Sequence, residues 1–342
     1  MAAPAPGTIQ KGTTVSDQKS TPDGQSELRS AVAATAKKKR NILIAVIAVA
    51  VVAVLAVGGV VLANSLGGQK AEADGGAEPL RVKIAVSEDS EFQDAIKEVA
   101  AEKGLEIEWV NTEDWVLPNT ELVAGNVDAN AFQHILYLSA FNAENGAALT
   151  PVFSTVITQW GIFSATLDDV ADIPDGGHIA IPDDPSNGGR ALNILASAGL
   201  IELSDDAGDF PSTDDITANP KNLEFVPIAA KTIPTQFDDP SLSAVVVGTS
   251  YFDPSQGVGK EDALFLDDSL NEKNLPYINV VATRADDVDN PAWAILKEVY
   301  ADPRVADALE KESFGNTVLV DIPVETLRDK LAELQKSAEQ NK

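Results

Sequence analysis

The chain has 342 residues, 44% of them hydrophobic, which at roughly 150 residues per domain allows one or two folded units with a real core and excludes disorder throughout. Lys and Arg total 25 against 53 Asp and Glu, a net charge of −28, the wrong sign for a general nucleic-acid binder, whose phosphate contacts need basic side chains. With no cysteine, a disulfide framework, a thiolate zinc site, a thiol nucleophile and a cysteine-borne acyl anchor are excluded.

Residues 1–40 carry seven basic and three acidic side chains and are rich in Ala, Pro, Gly, Ser, Thr, Gln and Lys, so they read as a disordered tail. Residues 41–69 hold no charge, and 42–66 are almost wholly Ile, Val, Ala and Leu. About 20 apolar residues cross a bilayer, which predicts a transmembrane helix over 41–66. Lys37-Lys38-Lys39-Arg40 abuts it on one side and acidic sequence follows on the other. The positive-inside rule therefore puts the tail in the cytoplasm and everything after the span outside, a single-pass arrangement in the cell membrane. A buried core helix would show a polar face, and this run has none. A signal peptide cleaved near Ala63 is the other reading, but secretory apolar cores usually run ~7–15 residues, which favours a retained anchor. Residues 67–78, built of Gly, Ala, Gln, Glu and Asp with the single Lys70, read as a flexible linker.

Beyond the linker the pattern is alternating α/β. Residues 81–86 alternate like a strand, 92–103 place apolar residues at helical spacing and stop before Gly104, and 106–110 form a second strand, together a parallel βαβ unit. Further strands are predicted over 160–164, 178–182, 223–227, 244–247 and 277–283, with helices over 120–127, 189–198, 291–300, 303–311 and 324–337. This is too much for one small sheet. Residues 79–172 plus 256–342 are assigned to a first lobe and 173–255 to a second. Segment 277–283 is expected to return and pair with 160–164, leaving two crossing connections as a hinge and a cleft between the lobes.

The sharpest constellation is the strand 178–182 followed by Asp183-Asp184-Pro185-Ser186-Asn187-Gly188-Gly189-Arg190. Glycines allow a ligand close to the backbone, exposed N–H groups at a helix start attract an anion, and Arg190, placed in the first turn, offers a planar fork to a carboxylate. An ordinary capped helix with a surface arginine is the alternative. The segment lacks the Gly-Lys-Ser/Thr ending of a phosphate loop and the alternating acids of a calcium loop. A second constellation, Trp115, Phe132, His134 and Tyr137, supplies aromatic rings and an imidazole where a strand end meets the cleft. His134 and His178 are the only histidines, neither with a nucleophile or metal-ligand spacing beside it; His178 reads as structural. The acidic pairs at 205–206, 214–215, 238–239 and 267–268 read as solvated turns. With no nucleophile, metal cluster or cofactor loop, no enzymatic activity, cofactor or metal is expected.

Four stretches resemble the methionine-binding lipoprotein family, the substrate-binding components of methionine ABC importers: WVLPNT (115–120), DANAFQH (128–134), IAIPDDPSNGGRAL (179–192) and NPKNL (219–223). The similarity runs over about residues 80–320. It implies a two-lobed periplasmic-binding-protein-like fold (type II) with a hinge, here preceded by a transmembrane helix in place of a lipid anchor. It also implies an amino acid or small carboxylate ligand, ABC permease and ATPase partners, and a monomer. By the same resemblance Arg190 grips the ligand carboxylate with help from Asn187, while Trp115, Phe132 and His134 wall the side-chain pocket. The sequence departs from the family at Ala131, Val156, Thr158 and Gly248, the last aligned where an asparagine usually contacts the ligand. A membrane-anchored sensory or scaffold protein with a ligand-binding ectodomain is the alternative function.

Overall fold

A computed structural model describes residues 78–340. The tail, span and linker expected over 1–40, 41–66 and 67–78 lie outside that range except for Glu78. No helix among the described residues is long and apolar enough to cross a membrane.

The described residues open, as anticipated, with a βαβ unit. Strand β1 (Leu80–Val86) is joined through helix α1 (Glu91–Glu102) to β2 (Leu105–Asn111), and the two strands pair in parallel from Leu80 with Leu105 to Val86 with Asn111. Ser90 starts α1 by accepting the Gln93 N–H at 3.1 Å, and Glu91 and Asp94 lie in the first turn, where negative charge suits the helix dipole. Helix α2 (Leu117–Ala124), β3 (Ala129–His134), α3 (Ile135–Asn145) and β4 (Leu149–Ser154) follow. The first sheet has the order β2-β1-β3-β13-β4, where β13 (Asn279–Arg284) returns late in the chain and runs antiparallel to both neighbours.

The chain then leaves this sheet through β5 (Val156–Thr158) and enters the second at β6 (Trp160–Phe163). The second sheet takes in β7 (His178–Pro182), β10 (Glu224–Ile228), β11 (Ala244–Gly248) and β12 (Ala263–Leu266) in the order β10-β7-β11-β6-β12. Helix α4 (Pro185–Ser197) packs on it, and a small ribbon of β8 (Glu202–Leu203) and β9 (Ile216–Ala218) lies beyond. Every residue of β11 is buried, as expected of a central strand covered on both faces.

Helices α5 (Ala292–Tyr300) and α6 (Pro303–Ser313), strand β14 (Thr317–Leu319) and helix α7 (Val324–Gln340) complete the first lobe. Its sheet has two apolar flanks. One packs Leu136 and Leu138 with Leu327, Leu331 and Leu334, and the other packs Ile96 and Val99 with Trp293, Leu296 and Val305. The second sheet is likewise covered on each side, by Leu192 and Leu195 of α4 on one and by Ile233 and Phe252 on the other.

Two expectations are corrected. The segment 277–283 does not pair with 160–164: β13 lies between β3 and β4, whereas β6 pairs antiparallel with β11 and β12. The second sheet thus draws on residues 160–266 rather than 173–255. The cause is the burial of β6, whose four residues are all enclosed. Trp160 and Ile162 join one core of the second lobe and Phe163 the other, and a short apolar run does not announce which sheet will supply those two faces.

Two connections cross between the sheets, β4–β5–β6 and β12–β13. The first is tied to the C-terminal return by pairing of β5 with β14. Ser154 strengthens that tie: its hydroxyl donates to the Val320 carbonyl at 2.8 Å and accepts the Ile322 N–H at 2.9 Å. Substituting Ser154→Ala leaves both groups buried and unpaired, and is expected to lower unfolding stability by about 1–3 kcal/mol in urea denaturation.

Candidate functional site

Helix α4 begins earlier than the sequence suggested. Asp184 is its N-cap, accepting the Asn187 N–H at 2.9 Å, and Pro185 occupies the first helical position, both favoured choices there. The Pro-Ser-Asn-Gly-Gly stretch is therefore already helical, and Arg190 lies in the second turn rather than the first. The anion at this helix start is the protein's own Asp184, which also accepts from the Ser186 hydroxyl and the Asn187 amide. The two glycines serve packing instead of ligand approach. A Cβ on Gly188 would lie 2.8 Å from the Pro182 carbonyl oxygen, and one on Gly189 within 3.0 Å of Pro211.

Placing Arg190 one turn deeper sends its side chain into the junction between the lobes, where it is 2% exposed. Its Nη2 donates to the Thr158 carbonyl at 3.0 Å and to Asp267 Oδ2 at 2.9 Å. Thr158 belongs to the first crossing connection and Asp267 opens the second, so one guanidinium ties both. The group is also sandwiched by rings, 4.7 Å from the centre of Trp160 and 4.3 Å from that of Tyr277, contacts that favour a cation. Its Nε is buried without a partner among the described residues.

On the first-lobe side, β3 ends in Phe132, Gln133 and His134. Asn119, Asn130 and Gln133, all buried, bond to one another: Asn119 Nδ2 donates to Gln133 Oε1 at 2.8 Å, and Asn130 Nδ2 and Gln133 Nε2 both donate to Asn119 Oδ1. These amides of the sequence motif are scaffolding that fixes the strand end. His134 Nδ1 accepts the Tyr137 N–H at 3.1 Å, so Nε2 carries the proton and donates to Asn187 Oδ1 at 3.0 Å across the junction. Desolvation, opposed by the Asn187 bond and aided by the Arg190 charge, lowers the imidazole pKa to about 4. His134 is therefore neutral near pH 7.

Trp115, Phe132, Gln133, His134, Tyr137, Asn187, Tyr251 and Asn279 line a small cavity of about 20 Å³. It has room for about one water, so an amino acid can occupy it only if lobes or rings move apart. Trp115 from the first lobe packs on Tyr251 from the second, ring centres 5.4 Å apart, and Tyr137 donates its hydroxyl to the Trp115 carbonyl. A wider groove of about 830 Å³ also borders Tyr251, but Glu88, Asp89, Glu91, Asp253, Glu261 and Glu312 outnumber its one cation, Lys311, the wrong sign for a carboxylate.

Five of the sequence candidates, Trp115, Phe132, His134, Tyr137 and Asn187, are brought together around the cavity. Arg190 does not line it; it stands behind, sharing the Tyr277 ring with His134, whose centre is 5.6 Å from that ring. Gly248 faces no cavity: a Cβ there would sit 2.8 Å from Trp160 Nε1 and 2.9 Å from a Tyr251 ring carbon, so two rings take up the space beside it. His178 lies at the surface, 3.2 Å from Glu224. Sequence reading missed Trp160, Tyr251, Tyr277, Asn279 and above all Asp267, which was assigned to a solvated turn and is instead Arg190's buried partner. Position in the fold distinguishes these residues, and residue type alone does not.

Two α/β lobes joined by two crossings, with a buried arginine and an aromatic pocket where they meet, define a two-lobed ligand-binding protein of the periplasmic-binding type. Residues 80–320 match the NlpA lipoprotein family, and the chain belongs to that family. It is 34% identical over 240 residues to the D-methionine-binding lipoprotein MetQ of Salmonella typhimurium, covering 70% of this chain and 87% of the relative. Among solved structures it resembles protein PG110 from Staphylococcus aureus, with a TM-score of 0.67 and 31% identity over 75% of this chain and 99% of that one. A nutrient binding protein from Burkholderia cenocepacia bound to methionine gives a TM-score of 0.64 and 32% identity, covering 70% and 99% of the two chains.

Burial of His134 has a pH consequence. The unfolded chain takes up a proton near pH 6.5, whereas the folded one resists until about 4, so this residue's contribution is full above pH 6.5 and is lost as pH falls toward 4. Thermal melts between pH 7 and 4 should show stability falling over this window, less steeply in His134→Gln. Gly248→Ala, which forces the Trp160 and Tyr251 rings aside, should cost about 1–3 kcal/mol in the same assay.

Proposed function

We propose that this chain is the substrate-binding component of an ABC importer for methionine or a related amino acid. Arg190 takes the ligand carboxylate, Asn187 and His134 position the ligand between the lobes, and Trp115, Phe132 and Tyr137 receive its side chain. The observation that carries this reading is the guanidinium buried at the meeting point of both crossings, one turn from Asn187, in a chain of this family. Asp267 and the Thr158 carbonyl both engage Nη2 of this guanidinium, and its buried Nε still lacks a partner among the described residues, a costly unmet hydrogen bond that a ligand carboxylate would relieve. Ligand capture at that point would shift an open–closed equilibrium, since each crossing ends on the same side chain. Membership in the family supports the binding role.

The same reading places the binding lobes outside the cell, held by the span at 41–66 with the basic tail inside. Support comes from the charge asymmetry about that span and from the −32 carried by residues 41–342. A protein anchor holds the binder near its permease and raises its effective concentration there, as an acyl anchor would.

Isothermal titration of the purified protein with the twenty amino acids and both methionine enantiomers tests the proposal. Saturable binding of at least one amino acid is expected. Arg190→Ala should abolish measurable binding, because it strands the ligand carboxylate, while Phe132→Ala should weaken it by roughly tenfold through lost apolar contact. Equal losses in the two variants, or no amino acid bound at millimolar concentration, would refute it.

A further inference from the structure

Arg190 does not meet the cleft as a lone cation. Asp267 is held by three bonds: its N–H donates to the Trp160 carbonyl at 2.9 Å, its Oδ1 accepts the Trp160 N–H at 2.9 Å, and its Oδ2 accepts from Arg190 at 2.9 Å. The two side chains are 3% and 10% exposed, so water screens the pair little. No residue lining the small cavity is a cation: His134 is neutral, and the Tyr137, Tyr251 and Tyr277 hydroxyls are kept protonated by burial. Asp184, at the helix start beside Asn187, adds a further negative charge that only neutral donors, Ser186 and Asn187, engage.

We propose that Asp267 is a specificity-determining residue: by holding Arg190 in a neutral pair, it sets the cleft for a ligand whose own charges balance, a zwitterion, and against carboxylates that lack an ammonium group. A carboxylate arriving alone brings one uncompensated negative charge beside a fixed Asp267, in a dry site where like charges repel strongly. A zwitterion brings its own cation with it. Removing the Asp267 charge leaves Arg190 without its partner and moves the preference toward the plain carboxylate. The inference rests on the carboxylate-binding role proposed for Arg190.

The test titrates methionine and 4-(methylthio)butanoate, the same chain without the ammonium, into the wild type and into Asp267→Asn, Asp267→Ser and Asp267→Glu. The readout is the ratio of the two dissociation constants, which a structural defect lowering both affinities alike does not move. The wild type should prefer methionine. Both neutral variants should shift the ratio toward the plain carboxylate by about tenfold or more, and Asp267→Glu should keep the wild-type preference. Equal affinities in the wild type, or an unchanged ratio in folded Asp267→Asn or Asp267→Ser, overturn the role of Asp267 while leaving amino-acid binding intact. Failure of the wild type to bind any amino acid instead removes the transport reading beneath it.

Discussion

The structure depends on one buried charge. Arg190 is withdrawn from water, and a guanidinium in that position is tolerated only when its protons are accepted and its charge is answered. The Thr158 carbonyl, the Asp267 carboxylate and the faces of Trp160 and Tyr277 answer the charge together, leaving Nε as the one buried side-chain N–H without an acceptor among the described residues. Thr158, Asp267 and Tyr277 lie on the two connections that pass between the sheets, and Trp160 opens the second sheet where the first connection ends. Geometry at the crossings and the state of this cation are therefore one problem: neither connection can shift far without changing what surrounds the arginine.

Around that point the remaining polar groups fall into two kinds. Asn119, Asn130 and Gln133 bond to one another and hold the end of β3 still, with Gln133 alone of the three also lining the cavity. His134 and Asn187 join the lobes through a single bond, backed by the Tyr137 amide on one side and by Asp184 on the other. A neutral imidazole suits that place, because a second cation near Arg190 would be repelled. Farther out, Lys231 reaches across from the second lobe to the Ser87 carbonyl at 3.0 Å, so the rim is stitched as well as the floor.

Much of this was legible in the sequence, and the failures share a cause. The βαβ opening followed from period-two and helical spacing, and five pocket residues followed from motif chemistry together with the family resemblance. Sheet membership of Trp160–Phe163 did not, because four apolar residues carry no signal for which neighbours will cover them. The start of α4 was misjudged because Asn-Gly-Gly reads as a turn by composition, although Asp184 before Pro185 is a strong helix start. Asp267 was missed for the converse reason: next to Asp268, in a polar stretch, it resembles every other acidic pair in the chain, and only the fold brings it against a cation 77 positions away. Long-range charge pairing leaves no local trace.

The tryptophans are unevenly distributed, and this has a practical value. Two of the four in the chain are fixed inside the first lobe, Trp109 by its bond to the Gln93 carbonyl and Trp293 by its bond to the Asp287 carbonyl. The other two, Trp115 and Trp160, both rest against Tyr251, one from either side of the seam. Native indole emission thus comes with a steady reference and a displacement-sensitive component in the same molecule, an optical gauge of lobe separation that needs no attached dye.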